Sequence, residues 1–265
     1  MKLIDLTKCS WGTTHNGGTS YGCYYKTSLV ENSKKYYYKC SNFYAGQGYF
    51  GDESINEVIC SRFLDKLGFN CLKYTLVYAR VNINGREFNT YVCKSENFFK
   101  GYDSRVTLEN LHSMFNCSVD QLITSTGIWY DIKKMIIADF LTLQRDRHGG
   151  NIELLSKGKK YDLSSLFDNG LGLLAPYPSA SGVDISGFDV LADYPVNNYI
   201  GTRSLYQNLK YIDAPIRVNT LYKTDKKAIF YGLNGILPKE YIDVIWKLLV
   251  YRYTYLRQKG FIIDG

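Results

Sequence analysis

The stretch that decides the fold is Asp146-Arg147-His148-Gly149-Gly150-Asn151, answered further on by Asp168-Asn169-Gly170. Asp146 and Asn151 stand five positions apart. On the N-terminal side, Trp129, Ile132, Ile136, Phe140 and Leu143 recur at spacings of three and four, which predicts a helix over Ile128–Leu143. The polar run from Gln144 cannot continue that helix. On the C-terminal side, Ile152–Leu155 and Leu163–Phe167 are short apolar pieces and predict a two-stranded ribbon. A hairpin there would return Asp168 to the side of Asn151. Asp146 read alone fits an ordinary turn at a helix end. The combination of long helix, D-x4-N, ribbon and Asp-x-Gly favours a site.

Two carboxylates and an amide gathered in this way suit phosphoryl transfer. That reaction needs a carboxylate beside the attacking hydroxyl and hard oxygen ligands for Mg²⁺. The D-x4-N spacing also occurs in the protein-kinase catalytic loop, and Asn169-Gly170 stands where a kinase has Phe-Gly. His148 reads as a metal ligand or as a brace of the loop. With His15 and His112 the only other histidines, and no spaced partner, the brace is favoured.

The first hundred residues read as strands. Tyr21–Leu29 and Lys35–Ser41 bracket the polar turn Glu31-Asn32-Ser33-Lys34, and Tyr74–Asn82 and Glu87–Lys94 bracket Ile83-Asn84-Gly85. Between these hairpins a helix is predicted over Ser54–Leu67, with Ile55, Ile59, Phe63 and Leu67 on one face and Gly68 as its stop. Lys39 lies in an apolar-looking strand where a lysine is out of place. Lys39 and Glu57 would reproduce the strand-Lys to helix-Glu ion pair of kinases. Ser54-Ile55-Asn56-Glu57 is equally a capping box, so Glu57 has a second reading. Lys26, at a strand end, competes with Lys39 as the phosphate lysine. The run from Gly12 to Gly22, with Gly17 and Gly18 at its middle, suits a loop whose backbone N–H groups meet phosphates.

After Phe98 the pattern turns helical, with candidates at Leu108–Phe115 and Val119–Ser125, a capping box at Ser118–Gln121, and a last helix over Lys239–Gln258. Pro176 to Pro195 is rich in loop signals. The change of pattern puts a lobe boundary at Lys94–Lys100.

Composition sets the outer limits. The 265 residues are 45% hydrophobic and 22% charged, which excludes disorder. The net charge of +7 suits a polyanionic ligand, but the lysines are scattered and form no nucleic-acid stripe. No apolar run is long enough to span a membrane, and the start lacks the apolar core of a signal peptide. A cytoplasmic location is expected, with secretion by a non-classical route left open. Seven cysteines without a CxxC pair read as reduced thiols, not as a zinc site or disulfide framework.

Three segments carry a family resemblance: Ile55–Gly68, Asp139–Asn151 and the run from Leu163 through Asp168-Asn169-Gly170 to Leu171. The chain resembles the HipA-like kinases in their C-terminal kinase region, and their compact bacterial relatives, the CtkA-type serine/threonine kinases. The resemblance implies an α+β, two-lobed protein-kinase-like fold, with a small β-rich N-lobe (residues 1–97) and a mainly helical C-lobe (98–265). It implies ATP and Mg²⁺ in the cleft and transfer of the γ-phosphoryl group to a hydroxyl, Ser or Thr of a protein. By the same resemblance Asp146 is the catalytic base, and Asn151 and Asp168 hold Mg²⁺. Lys39 meets the α/β-phosphates, Glu57 holds Lys39, and Lys94, Ser95 and Glu96 are the adenine hinge through their backbone. Self-phosphorylation is expected at Ser20 or Thr19 of the glycine loop. Two departures are visible: Lys39 sits too close to the start for the extra N-terminal subdomain of HipA proper, and the glycine loop does not cleanly reproduce the family's usual Gly-Ser-containing segment. A kinase-shaped binding module without turnover, and a small-molecule or lipid phosphotransferase, are the alternatives.

Overall fold

The computed structural model describes residues 1–14, 21–99 and 101–265. Gly17, Gly18, Thr19 and Ser20 of the glycine loop lie outside them.

Two tight turns organise the N-terminal half. Strands β1 (Ile4–Leu6), β2 (Gly12–Thr14), β3 (Tyr21–Glu31) and β4 (Lys34–Cys40) precede a small ribbon of β5 (Phe43–Tyr44) and β6 (Tyr49–Phe50). Helix α1 (Glu53–Lys66) follows, then β7 (Tyr74–Ile83) and β8 (Arg86–Glu96). Asn32 and Ser33 join β3 to β4, Asn84 and Gly85 join β7 to β8, and all four have positive φ. Such turns match the twist of the flanking strands. The sheet order is β1-β7-β8-β4-β3-β2, with β1 parallel to β7 and the other pairs antiparallel. Period-two alternation sends Val77, Ala79, Val81 and Ile83 into a small core with Tyr38 and Val92. Helix α1 buries Ile55, Val58, Ile59 and Phe63 with Leu76 and Cys93 in a second, larger core. The helix ends where expected, with Gly68 at φ 84 just beyond its C-cap Leu67.

The remaining elements are β9 (Ser104–Thr107), α2 (Leu108–Ser113), α3 (Val119–Thr126), α4 (Trp129–Thr142), β10 (Asp146–Arg147), β11 (Glu153–Lys157), β12 (Lys160–Leu163), β13 (Asn197–Asn198), α5 (Leu205–Asn208), β14 (Ile216–Val218), α6 (Asp225–Ile229), α7 (Lys239–Gln258) and β15 (Ile262–Asp264). Helix α4 is the spine, with Ile132, Met135, Ile137, Phe140 and Leu141 buried. Helix α7 lies against it through the face that its spacing predicts, Ile242, Ile245, Leu249 and Leu256. The Ser118 capping box is formed, with the Gln121 N–H donating to Ser118 Oγ at 3.2 Å and the Ser118 N–H to Gln121 Oε1 at 2.9 Å.

Three expectations need correction. Ser104–Thr107, in the stretch read as helical, is a strand, and it makes a three-stranded sheet in the order β12-β11-β9. The ribbon's second strand is Lys160–Leu163, not Leu163–Phe167. Gly158, at φ 60, places the turn earlier, and Leu166 instead bridges to Cys71. Helix α2 stops at Ser113, short of Phe115, which is left exposed.

Candidate active site

Strand β4 carries Lys39 inward, where its ammonium is almost wholly buried. Nζ donates to Glu57 Oε1 at 2.8 Å and also to Asp168 Oδ1. Burial works against the ammonium, but Asp168 and Glu57 outweigh it and hold Lys39 well above the ordinary lysine range. Burial likewise opposes the Asp168 carboxylate, and Lys39 and Lys26 outweigh that, holding it well below the usual carboxylate range. Glu57 is fully buried, and its second oxygen accepts the Asn169 N–H at 2.8 Å. The capping-box reading of Glu57 is therefore set aside. Ser54 is engaged elsewhere, its N–H donating to Ser41 Oγ and its hydroxyl to the Lys39 carbonyl.

The Asp168 segment is docked on α1. Asn56 Nδ2 donates to the Gly170 carbonyl at 3.1 Å. A Cβ at Gly170 would lie 3.1 Å from both Cβ and the carbonyl oxygen of Glu53, and one at Gly172 would lie 2.9 Å from the Thr142 carbonyl oxygen. The close approach requires both glycines. Asp168 itself has φ 59, a left-handed conformation that Asp tolerates better than most residues.

Arg147 joins this segment to the loop after α4. Its guanidinium is fully buried and donates to Asp139 Oδ1 and Oδ2, to the Asn151 and Phe167 carbonyls, and to Asn169 Oδ1. One planar fork thus fixes the main chain beside Asn151 and beside Asp168. Gln144 adds a bond to the Asp168 carbonyl at 2.8 Å. Asn151 Nδ2 donates to the Asp146 carbonyl at 3.0 Å, so its amide oxygen is the atom left for a cation. Asp146 Oδ1 accepts from Asn197 Nδ2 at 2.7 Å, and its Oδ2 lies 3.8 Å from His148 Nε2. His148 accepts the Gly150 N–H through Nδ1, the bracing expected of it. Among the described residues no three His, Cys, Asp or Glu side chains gather as a metal site. The donor set, one carboxylate and one amide oxygen, fits Mg²⁺, which binds through few protein groups plus substrate phosphates.

Between sheet and helices lies a cavity of about 310 Å³. Leu72, Tyr74, Phe98, Val106 and Phe167 give it an apolar lining, and Lys26, Lys39 and Asp168 a charged one. The proposed hinge is only partly at this cavity. Ser95 lines it, whereas the Lys94 and Glu96 side chains lead away to Glu31 and Lys34. Lys94 and Ser95 are also paired on both sides in the sheet, and the cavity is next met by Asn97 and Phe98. Sequence reasoning missed Asn56, Asp139, Gln144 and the role of Arg147. The available signal was Asp139, a carboxylate within the apolar run Met135–Leu143.

No protein-family profile and no curated protein matches the chain. Among solved structures, the crystal structure of the Helicobacter pylori proinflammatory kinase CtkA matches 96% of this chain and 94% of its own, with a TM-score of 0.59 at 18% identity. HipA of Shewanella oneidensis MR-1, solved with HipB and operator DNA, matches 88% of this chain and 55% of its own, with a TM-score of 0.40 at 14% identity. The match to CtkA shows that the chain has a two-lobed, kinase-like α/β fold. In particular it has the fold of the compact CtkA kinase, as the resemblance read from its sequence implied.

Two expectations follow. Arg147→Met leaves Asp139 buried without its partner and should destabilise the chain by about 3–5 kcal/mol in urea denaturation. The Asp139→Leu/Arg147→Met double variant should recover part of that; fully additive losses would mean that the pair is not a unit. The Asp168 carboxylate is depressed in the fold, so its contribution is present above about pH 4, the unfolded value, and is lost as pH falls below it. Asp168→Asn should flatten this acid limb of a stability-versus-pH curve, and an unchanged limb would remove the assignment.

Proposed function

We propose that the chain is an ATP- and Mg²⁺-dependent phosphotransferase acting on hydroxyl groups, with Ser or Thr of a protein as acceptor. The observation that carries this reading is the Lys39–Glu57–Asp168 cluster, which stands in an apolar-walled cavity and is tied through Arg147 to the Asp146–Asn151 loop. The apolar lining, Leu72, Phe98, Val106 and Phe167, takes the flat base, and the charged side chains take the phosphates. Lys39 meets phosphate oxygens and Glu57 keeps it aimed. Asn151 and Asp168 would hold Mg²⁺, which supplies charge neutralisation on the transferring phosphoryl group.

Asp146 stands where the acceptor hydroxyl would lose its proton. The hydroxyl oxygen bonds to the γ-phosphorus, the bond from the γ-phosphorus to the β–γ bridging oxygen breaks, and ADP leaves. Asp146 takes the proton. Asn197 fixes one carboxylate oxygen and so presents the other. Most of the acceleration is positioning and charge stabilisation. Self-phosphorylation of the glycine loop at Ser20 or Thr19 belongs to the same reading.

Asp146→Asn should lower transfer of labelled phosphate to a mixed protein substrate by about 10²–10⁴-fold while Mg·ATP still binds. Retention of more than about a tenth of wild-type turnover would show that Asp146 is not the base. Asp168→Ala should abolish the extra thermal stabilisation that Mg²⁺ gives over ATP alone, because the cation loses its charged ligand. Equal Mg·ATP shifts in variant and wild type would sink the metal assignment.

A further inference from the structure

We propose that Asp52 is a positioning residue for the acceptor: it holds the segment from Pro176 to Pro195 at Ser179, and through that segment the side chains next to Asp146. This rests on the reading of the chain as a phosphotransferase.

Asp52 stands at the N-cap of α1, where an aspartate ordinarily accepts an N–H of its own helix. It does not do so here. Its backbone, at φ −101 and ψ 11, is outside the extended region that aims a cap side chain at the first turn. Both carboxylate oxygens go instead to Ser179: Oδ2 accepts its N–H at 2.5 Å and Oδ1 its hydroxyl at 2.9 Å. Burial raises the Asp52 carboxyl, and the two bonds from Ser179 are what lower it. A charged acceptor that takes two donors from one residue is a strong, directional tie. The helix is its fixed end, because Ile55, Ile59 and Phe63 lie in the large core. Just beyond Ser179, by contrast, Ala180, Gly182, Val183 and Asp184 are exposed.

From Ser179 the effect reaches the base through a row of rings. Tyr177 meets Phe188 edge to face at 5.9 Å, Phe188 stacks on Tyr194 at 5.2 Å, and the Arg145 guanidinium lies 4.7 Å from the centre of the Tyr194 ring. Arg145 Nε and Nη2 are buried without a hydrogen-bond acceptor, so the ring is what places them. Arg145 directly precedes Asp146, and the segment returns to Asp146 itself through Asn197. The tie therefore bears on the surroundings of the base. Lys39, Glu57 and Asp168 are held by bonds of their own. Tyr241 also donates to the Pro178 carbonyl at 3.2 Å, so loss of Asp52 loosens the segment without freeing it.

The test is amide hydrogen exchange, read by peptide mass spectrometry, on wild type, Asp52→Ala, Ser179→Ala and Ser179→Thr. Calorimetric binding of Mg·ATP and transfer of labelled phosphate to dephosphorylated casein accompany it. Peptides covering 176–189 should exchange several-fold faster in Asp52→Ala, while peptides of α1 keep the wild-type rate. Ser179→Ala keeps the N–H bond and should show a smaller rise. Mg·ATP affinity should stay within about twofold, and the KM for casein should rise about 10-fold in Asp52→Ala with kcat changed by less than about threefold. Ser179→Thr keeps the hydroxyl and should behave as wild type. Unchanged exchange over 176–189, faster exchange in α1, a matching loss of Mg·ATP affinity, or a fall in kcat at constant KM overturns the proposal and leaves Asp52 an ordinary part of the helix start. Wild type that transfers no phosphate overturns the phosphotransferase reading, and the acceptor role with it; the exchange rates then still decide whether Asp52 holds the segment.

Discussion

The arrangement depends on one buried cation. Arg147 is enclosed, and an unpaired guanidinium in such a place costs several kcal/mol. Asp139 neutralises it from the spine helix, and three acceptors on the Asn151 and Asp168 segments take its remaining donors. Neither segment can move without leaving buried guanidinium N–H groups short of acceptors. The loop after α4 and the turn after the ribbon, far apart in sequence, are thereby one rigid unit.

Lys39 plays the corresponding part between the sheet and that unit. Its position on β4 is set by the hairpin register, while Glu57 and Asp168 come from α1 and from the turn after the ribbon. Asn56 and Glu57 then fasten α1 to Gly170 and Asn169. A helix that packs on the sheet through its apolar face thus also holds the lower segment through its polar one.

The local signals that were legible in the sequence are those with short-range causes. Asn84-Gly85 and Asn32-Ser33 place turns, Gly68 ends α1, and Pro238 opens α7. The D-x4-N loop and the Lys39–Glu57 pair were also readable, because a lysine in an apolar strand needs a partner. What could not be read depends on contacts across the fold. Strand β9 has only four residues and exists because β11 offers it an edge. The segment 164–167 looks like a strand by composition, but Gly158 had already closed the ribbon, so Leu166 bridges to Cys71 instead. Lys94 and Glu96 alternate away from the cavity, a consequence of strand phase that spacing alone does not give.

The two-residue ladder between β10 and β13 separates two kinds of sequence change. The Asn197 N–H donates to the Arg145 carbonyl at 2.7 Å, and the Tyr199 N–H to the Arg147 carbonyl at 3.0 Å. Main-chain bonds are indifferent to side-chain identity, so drift in the surrounding segment leaves the ladder in place. A change of length is different. A one-residue slip reverses which side chains face the loop and takes Asn197 off the Asp146 carboxylate. Exposed positions between Pro176 and Pro195 can therefore vary, whereas Asn197 and the buried Ile185, Val190, Val196 and Ile200 are held to their side chains, and any residue gained or lost has to be absorbed before it reaches Val196.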